Sequence, residues 1–164
     1  MKRDTVRFWS VLGLLVVLQF TIRSRLGNER VAPDFLLLAL LIYTTRSRPG
    51  ASAAAGFMVG LISDALTPAS FGAGALAHTI VGYLSSYAKA VFFAENLLVN
   101  SGLIFAGTWL RNLIVALASG KFAGPQLEWE LLVWSPLEAL TTAAAGVLIL
   151  TVFRQWLPIR LEEP

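Results

Sequence analysis

The apolar residues of this chain fall into long blocks with little between them, and this pattern limits the fold more than any other feature. The blocks cover residues 6–22, 33–45, 51–66, 73–93, 97–118 and 131–153. The chain is 56% hydrophobic and only 14% charged, which is far more apolar than an ordinary soluble domain. We therefore predict an all-α membrane protein, a compact bundle of about six transmembrane helices forming one multi-pass domain over residues 1–164.

Block length determines how each predicted helix can cross the bilayer. The last three blocks have the roughly 20 residues needed to span about 30 Å of hydrocarbon, whereas 33–45 and 51–66 are short and require flanking residues, tilt or a thinner bilayer. The first block could be a signal peptide, but the following RSRLGNER has no small-x-small cleavage site, so we predict a retained helix. The absence of cysteine excludes disulfides and thiolate chemistry.

The distribution of basic residues predicts that both termini lie in the cytoplasm. With six spans, more Lys and Arg residues fall on the side of the termini, and the side richer in them is normally cytoplasmic. The inner set is Lys2, Arg3, Arg7, Arg46, Arg48, Lys89, Arg154 and Arg160, and the outer set is Arg23, Arg25, Arg30 and Lys121. This topology and anionic membrane lipids account for the net charge of +3 without a nucleic-acid partner.

Five of the ionisable or amide side chains inside the predicted spans or at their outer ends are predicted to lie close together. They form a predicted intramembrane polar cluster in the outer half of the bilayer: Asp34, His78, Arg111, Asn112 and Glu138. Counting 1.5 Å per residue places Asp34 at the outer surface, and places Arg111 and Glu138 about 10 Å below it. We predict that Arg111 and Glu138 face each other, either as a salt bridge that fixes helix packing or as a pair that contacts a ligand or partner.

A stripe of small residues leads to a carboxylate in the third block. Gly56, Gly60 and Asp64 recur every four residues, which predicts a face for close helix packing. The following TPASFGAG contains a proline that cannot continue the helix and glycines that allow a tight turn. Asp64 either caps the next helix or belongs to a binding surface facing the outer compartment. The predicted helix-packing or partner-binding residues are Gly56, Gly60, Asp64, Gly72 and Gly74.

No combination of residues predicts catalysis, a metal or a cofactor. The chain has one histidine and scattered carboxylates without H-E-x-x-H spacing, so a structural hydrogen bond to a neighbouring helix suits His78 better than a metal ion. Serines occur in the spans, but there is no G-x-S-x-G motif. We predict that the protein is not an enzyme and has no catalytic, cofactor-binding or metal-binding residues.

The central part of the chain resembles a known family. PDFLLLALLIY (33–43), GFMVGLISD (56–64), FGAGAL (71–76) and YL (83–84) follow the order and spacing of MreD, the multi-pass membrane component of the bacterial rod-shape system. The most specific part is an aspartate followed eight residues later by glycine and then by Ala-Leu. The family often has a proline deep in its last helix, whereas Pro136 here sits near the outer end.

The resemblance to MreD implies partners and a fold. It implies a bacterial inner-membrane protein that binds the single-span protein MreC. Within the elongation complex it also implies association with the glycosyltransferase RodA, its penicillin-binding transpeptidase and the cytoskeletal protein MreB. The fold is expected to resemble the substrate-binding components of energy-coupling-factor vitamin transporters.

Two functions from different classes fit these features. In the first, the chain is a scaffold of the cell-elongation machinery that supports peptidoglycan synthesis, and its helix faces hold a partner's transmembrane helix. In the second, the polar cluster lines a pocket for a small molecule, as in a transporter component. For Asp64 we favour a role in organising the turn, so that Gly60→Leu is predicted to disrupt complex formation more than Asp64→Asn.

Overall fold

Six helices and no strand make up the part of the chain that the structure describes. The computed structural model describes residues 2–22, 25, 28, 30–66, 70–92, 97–120, 124–153 and 156–157. The predicted all-α membrane fold is confirmed. The helices are α1 (Lys2–Thr21), α2 (Phe35–Thr44), α3 (Pro49–Leu66), α4 (Ala73–Phe92), α5 (Leu97–Ser119) and α6 (Pro125–Val152).

Four of the described helices, α1, α3, α5 and α6, are long and apolar enough to cross a membrane. The other two differ for separate reasons. α2 has only 10 residues, and α4, with 20 residues, carries His78, Ser85 and Ser86 on its buried side, which lowers its hydropathy. These helices make the chain a membrane protein, while passage of all six through the bilayer and the orientation of the termini stay predictions.

The short helix α2 forms the centre of the bundle. Nearly all of its residues are buried, and it packs against all five other helices. Its sequence FLLLALLIYT is apolar around most of the helix, which is typical of a helix surrounded by protein or lipid. Phe8 and Leu15 of α1, Ile104 of α5 and Ile149 of α6 belong to the same apolar core. At 1.5 Å per residue α2 is only about 15 Å long, half the thickness of the hydrocarbon layer.

The last helix contains a π-helical turn over Glu130–Trp134. A proline ring clashes with the carbonyl of the residue four positions earlier, and Pro136 lies two residues after the end of this turn. The wider turn, closed by a bond from Ser135 N to Glu130 O, relieves that crowding. Trp109 Nε1 of α5 donates to Leu131 O within the turn at 3.3 Å. α6 therefore continues through the turn and begins at Pro125, six residues before the predicted block.

Candidate functional site

The five residues of the predicted polar cluster lie together in the structure. They come from the start of α2 and from α4, α5 and α6. Arg111 Nη2 is 3.6 Å from Asp34 Oδ2, and His78 Nε2 is 4.0 Å from the same oxygen. Asn112 accepts a hydrogen bond from Arg111 and donates one to Glu138, each at 2.8 Å. The cluster is thus one connected set of side chains that ties four helices together.

Asp34 is the N-cap of α2 and lies inside the bundle. Its Oδ1 accepts from Leu37 N at 2.9 Å, which satisfies one of the free N–H groups at the helix start. The side chain is only 2% exposed. Asp34 is therefore enclosed by other helices at the start of α2, and its predicted depth at the outer surface of the membrane stays a prediction.

Two further residues hold the start of α2. Gln19 Oε1 of α1 accepts from Phe35 N, and Thr142 Oγ1 of α6 accepts from Asp34 N, both at 3.0 Å. Gln19 is not among the predicted site residues. Its signal was an amide inside the apolar run VLGLLVVLQF, which requires a hydrogen-bonding partner once buried.

Arg111 pairs with Asp34 rather than directly with Glu138. Its guanidinium donates from Nη1 to Asn112 Oδ1 and from Nη2 to Ser63 Oγ, the latter at 3.5 Å. Asn112 then connects Arg111 to Glu138. The predicted direct contact between Arg111 and Glu138 is thus replaced by one through Asn112. The start of α2 carries a carboxylate to within reach of Arg111, which spacing along α5 and α6 does not show.

His78 is fully buried and makes one hydrogen bond through its ring. Its Nδ1 lies 2.8 Å from Gly74 O, and because a carbonyl only accepts, Nδ1 carries the hydrogen. Nε2 points towards Asp34 and has no hydrogen-bond partner among the described residues. The predicted hydrogen bond was to a neighbouring helix, whereas the bond that His78 makes is to Gly74 of its own helix, one turn earlier. Among the described residues, no group of three or more His, Asp or Glu is arranged to hold a metal ion.

Asp64 caps helix α4 from the end of α3. Its Oδ2 accepts from Gly72 N and Ala75 N, and its Oδ1 accepts from Gly74 N, each at 2.9 Å. Gly72 has φ +97°, which favours glycine, and a Cβ on Gly74 would overlap the Asp64 carboxylate. This geometry corresponds to the capping alternative for Asp64. Pro68, within the intervening turn, lies outside the described residues.

Replacing Asp64 with Ala is expected to lower the free energy of unfolding by about 2 kcal/mol, because three N–H groups lose their acceptor. Asp64→Asn keeps one carbonyl oxygen and is expected to have about half that effect. Hydrogen exchange at the amides of Gly72, Gly74 and Ala75, measured in detergent micelles, checks this. Faster exchange confined to these amides and their neighbours is the expected result, whereas unchanged exchange in Asp64→Ala contradicts the capping role.

The glycine face, Gly56 and Gly60, packs against α4 inside the bundle. A Cβ on Gly56 would lie 2.7 Å from the carbonyl carbon of His78, and one on Gly60 would lie 2.5 Å from Gly74 O. From the other side, a Cβ on Gly82 would lie 2.6 Å from Ser52 O. Helices α3 and α4 accordingly form the most extensive contact between described helices. The close packing expected of this face therefore occurs within the chain.

Buried polar contacts between apolar helices define this chain as an α-helical membrane protein whose ionisable groups hold the bundle together. The chain belongs to the MreD family, since the family model of the rod shape-determining protein MreD matches residues 2–156. No curated protein and no solved structure matches it, so the expected likeness to energy-coupling-factor components stays a prediction.

Family membership gives the chain a role in rod-shape determination. The family consists of shape-determining structural membrane proteins and is not a known family of enzymes.

Proposed function

We propose that this chain is a non-enzymatic scaffold of the bacterial cell-elongation machinery that binds the single-span protein MreC. Through that complex it supports peptidoglycan synthesis by RodA and its penicillin-binding transpeptidase and is linked to MreB. It lies in the inner membrane as a multi-pass protein with both termini in the cytoplasm. Its membership of a family that determines rod shape is the starting point of this proposal.

The observation that carries the proposal is that the buried carboxylates make contacts within the bundle. Asp34 caps α2 and lies beside Arg111, Asp64 caps α4, and Glu138 accepts from Asn112. Each of these contacts fixes one helix relative to another. Such a bundle is a rigid body whose recognition surface consists of the outward faces of its helices.

Those outward faces are apolar on several helices. Trp9 and Val17 of α1, Phe57 and Met58 of α3, and Leu148 of α6 are among the exposed large side chains. In lipid there is no hydrophobic drive between helices, so partners associate by shape, close packing and interhelical hydrogen bonds. A scaffold in the membrane would therefore recognise the helix of MreC by packing against one of these faces.

The test is to purify the tagged protein from its cells in mild detergent and to measure the intact mass of everything retained. Recovery of MreC in a fixed ratio is the expected result. A preparation that retains no membrane protein, from cells in which MreC is expressed, contradicts the scaffold.

One observation favours a small-molecule binder as the second candidate. His78 Nε2 is buried, points towards Asp34 and has no hydrogen-bond partner among the described residues. In this alternative, the polar cluster of a transporter component holds a polar group of the ligand. The same mass measurement separates the candidates, because a retained small molecule without a protein partner supports the binder.

A further inference from the structure

One ring nitrogen of the only histidine in the chain is buried without a hydrogen-bond donor. His78 is fully buried, and its Nδ1 donates to Gly74 O at 2.8 Å. In the neutral ring this leaves Nε2 as an acceptor, and no donor among the described residues reaches it. A buried acceptor without a donor is unfavourable, so a further donor is expected at this atom.

The carboxylate that Nε2 faces cannot be that donor. Asp34 Oδ2 lies 4.0 Å from Nε2, and an ionised carboxylate only accepts. If His78 instead carried a hydrogen on Nε2, a direct bond would require about 2.7–3.2 Å between the two atoms. Arg111 Nη2 lies 3.6 Å from the same oxygen, which is also longer than a hydrogen bond. Polar atoms at such separations are often joined through water.

A single water molecule matches the distance between these two acceptors. An oxygen placed about 2.8 Å from both Nε2 and Oδ2 meets them at an angle of about 90°, near the angle between the two O–H bonds of water. One hydrogen then points to each acceptor. The oxygen can accept in turn from the guanidinium of Arg111, whose Nε is buried and has no hydrogen-bond partner among the described residues. Three polar partners are typical of a buried water.

We propose that His78, Asp34 and Arg111 form a binding site for one ordered water molecule. The water donates to His78 Nε2 and to Asp34 Oδ2 and accepts from Arg111. It joins α4 by hydrogen bonds to the start of α2 and to α5. This inference goes beyond the proposed function and does not depend on the binding of MreC.

Charge and size favour water over other occupants of this site. The site has one carboxylate and one guanidinium, so a cation would be repelled by Arg111 and an anion by Asp34. Two acceptors 4.0 Å apart take both hydrogens of a single atom, and the rest of an organic molecule would need room beside His78 and Asp34, which are both buried. Water is the neutral molecule that meets these conditions without further atoms.

The water also bears on the second candidate function. A ligand that placed a polar group against His78 Nε2 would displace the water and would have to replace its hydrogen bonds. An alcohol has one hydrogen on its oxygen and could donate to only one of the two acceptors. A hydrated polar cluster therefore agrees better with a scaffold than with a transporter component.

The experiment is solid-state NMR of the full chain in lipid bilayers, with histidine as the only nitrogen-labelled residue. Because the chain has one histidine, the signals of its backbone nitrogen, Nδ1 and Nε2 need no further assignment. Magnetisation is transferred from water protons, and the backbone nitrogen of His78 within α4 is the internal control. We expect hydrogen on Nδ1 and none on Nε2, with the Nε2 signal growing several-fold faster than that of the backbone nitrogen.

The other outcomes overturn the water site. Hydrogen on Nε2 does so, because the ring then donates rather than accepts. A hydrogen-free Nε2 that gains signal from water no faster than the backbone nitrogen does so as well. If the preparation retains a small molecule whose removal changes the Nε2 signal, that molecule is the occupant, which overturns the water site and supports the second candidate function. Recovery of MreC is measured separately, so failure here leaves the proposed function standing.

Discussion

Replacing Gly60 with Leu is expected to prevent α3 from packing against α4 and to lower the free energy of unfolding by at least about 3 kcal/mol. Overpacking costs about 1–3 kcal/mol where side chains can move aside. Here a Cβ would lie 2.5 Å from Gly74 O and 2.7 Å from Ala75 N, which are backbone atoms held by the Asp64 cap. The measurement is the fraction that remains monodisperse in detergent after heating, compared with the unchanged protein.

Gly102→Leu is the matched control for Gly60→Leu. Gly102 lies within α5, where a Cβ would have nothing within 4 Å. Both changes raise helix propensity to a similar extent, so the difference between them isolates packing. Gly60→Leu is also expected to reduce recovery of MreC more than Asp64→Asn does. Equal stability of the two Leu variants contradicts the packing argument, and a larger loss of MreC in Asp64→Asn contradicts the ranking.

Replacing Asp34 with Ala is the change with the second large expected effect, a loss of about 3–5 kcal/mol in unfolding free energy. It removes the N-cap of α2 and leaves Arg111 without the carboxylate at 3.6 Å, and loss of one partner of a buried ion pair is strongly destabilising. Asp34→Asn keeps an oxygen for the cap but removes the charge. Its free energy of unfolding is therefore expected to lie between those of the unchanged protein and Asp34→Ala. Unfolding of each variant in mixed micelles gives the free energies.

Two comparisons make the Asp34 result specific. Asp4→Ala removes an exposed carboxylate 3.9 Å from Arg7, and a loss below about 0.5 kcal/mol is expected. In a double-mutant cycle, Asp34→Asn combined with Arg111→Gln should be less destabilising than the sum of the single changes. Strict additivity would mean that Asp34 acts only through the cap.

The class of fold follows from the sequence because few structures satisfy the hydrogen bonds of a backbone buried in lipid. Apolar blocks of about 20 residues must form helices that satisfy their own backbone, and the structure has six helices as predicted. The family resemblance of residues 33–84 likewise agrees with the match over residues 2–156. The start of the last helix was harder to predict from the sequence. The segment PQLEWE carries two glutamates, so hydropathy alone placed the boundary after Glu130.

The partners within the polar cluster were predictable only in part. Its five residues are ionisable or amide groups in apolar blocks, and the need for mutual satisfaction predicts that they meet. Which carboxylate pairs with Arg111 depends on how deep α2 begins. An apolar helix such as FLLLALLIYT fits both lipid and a protein core, so its sequence does not distinguish a central position from a peripheral one.

The hydrogen bonds at the start of α2 also depend on the order in which the helices are synthesised. The amides at the start of α2 donate to Gln19, which is synthesised before α2, and to Thr142, which is synthesised about 100 residues after it. A nascent chain that has inserted only as far as α5 lacks that last acceptor as well as Glu138. Arrival of α6 therefore completes the bundle, and a chain that ends before α6 lacks the hydrogen-bond acceptors of Asp34 N and Asn112.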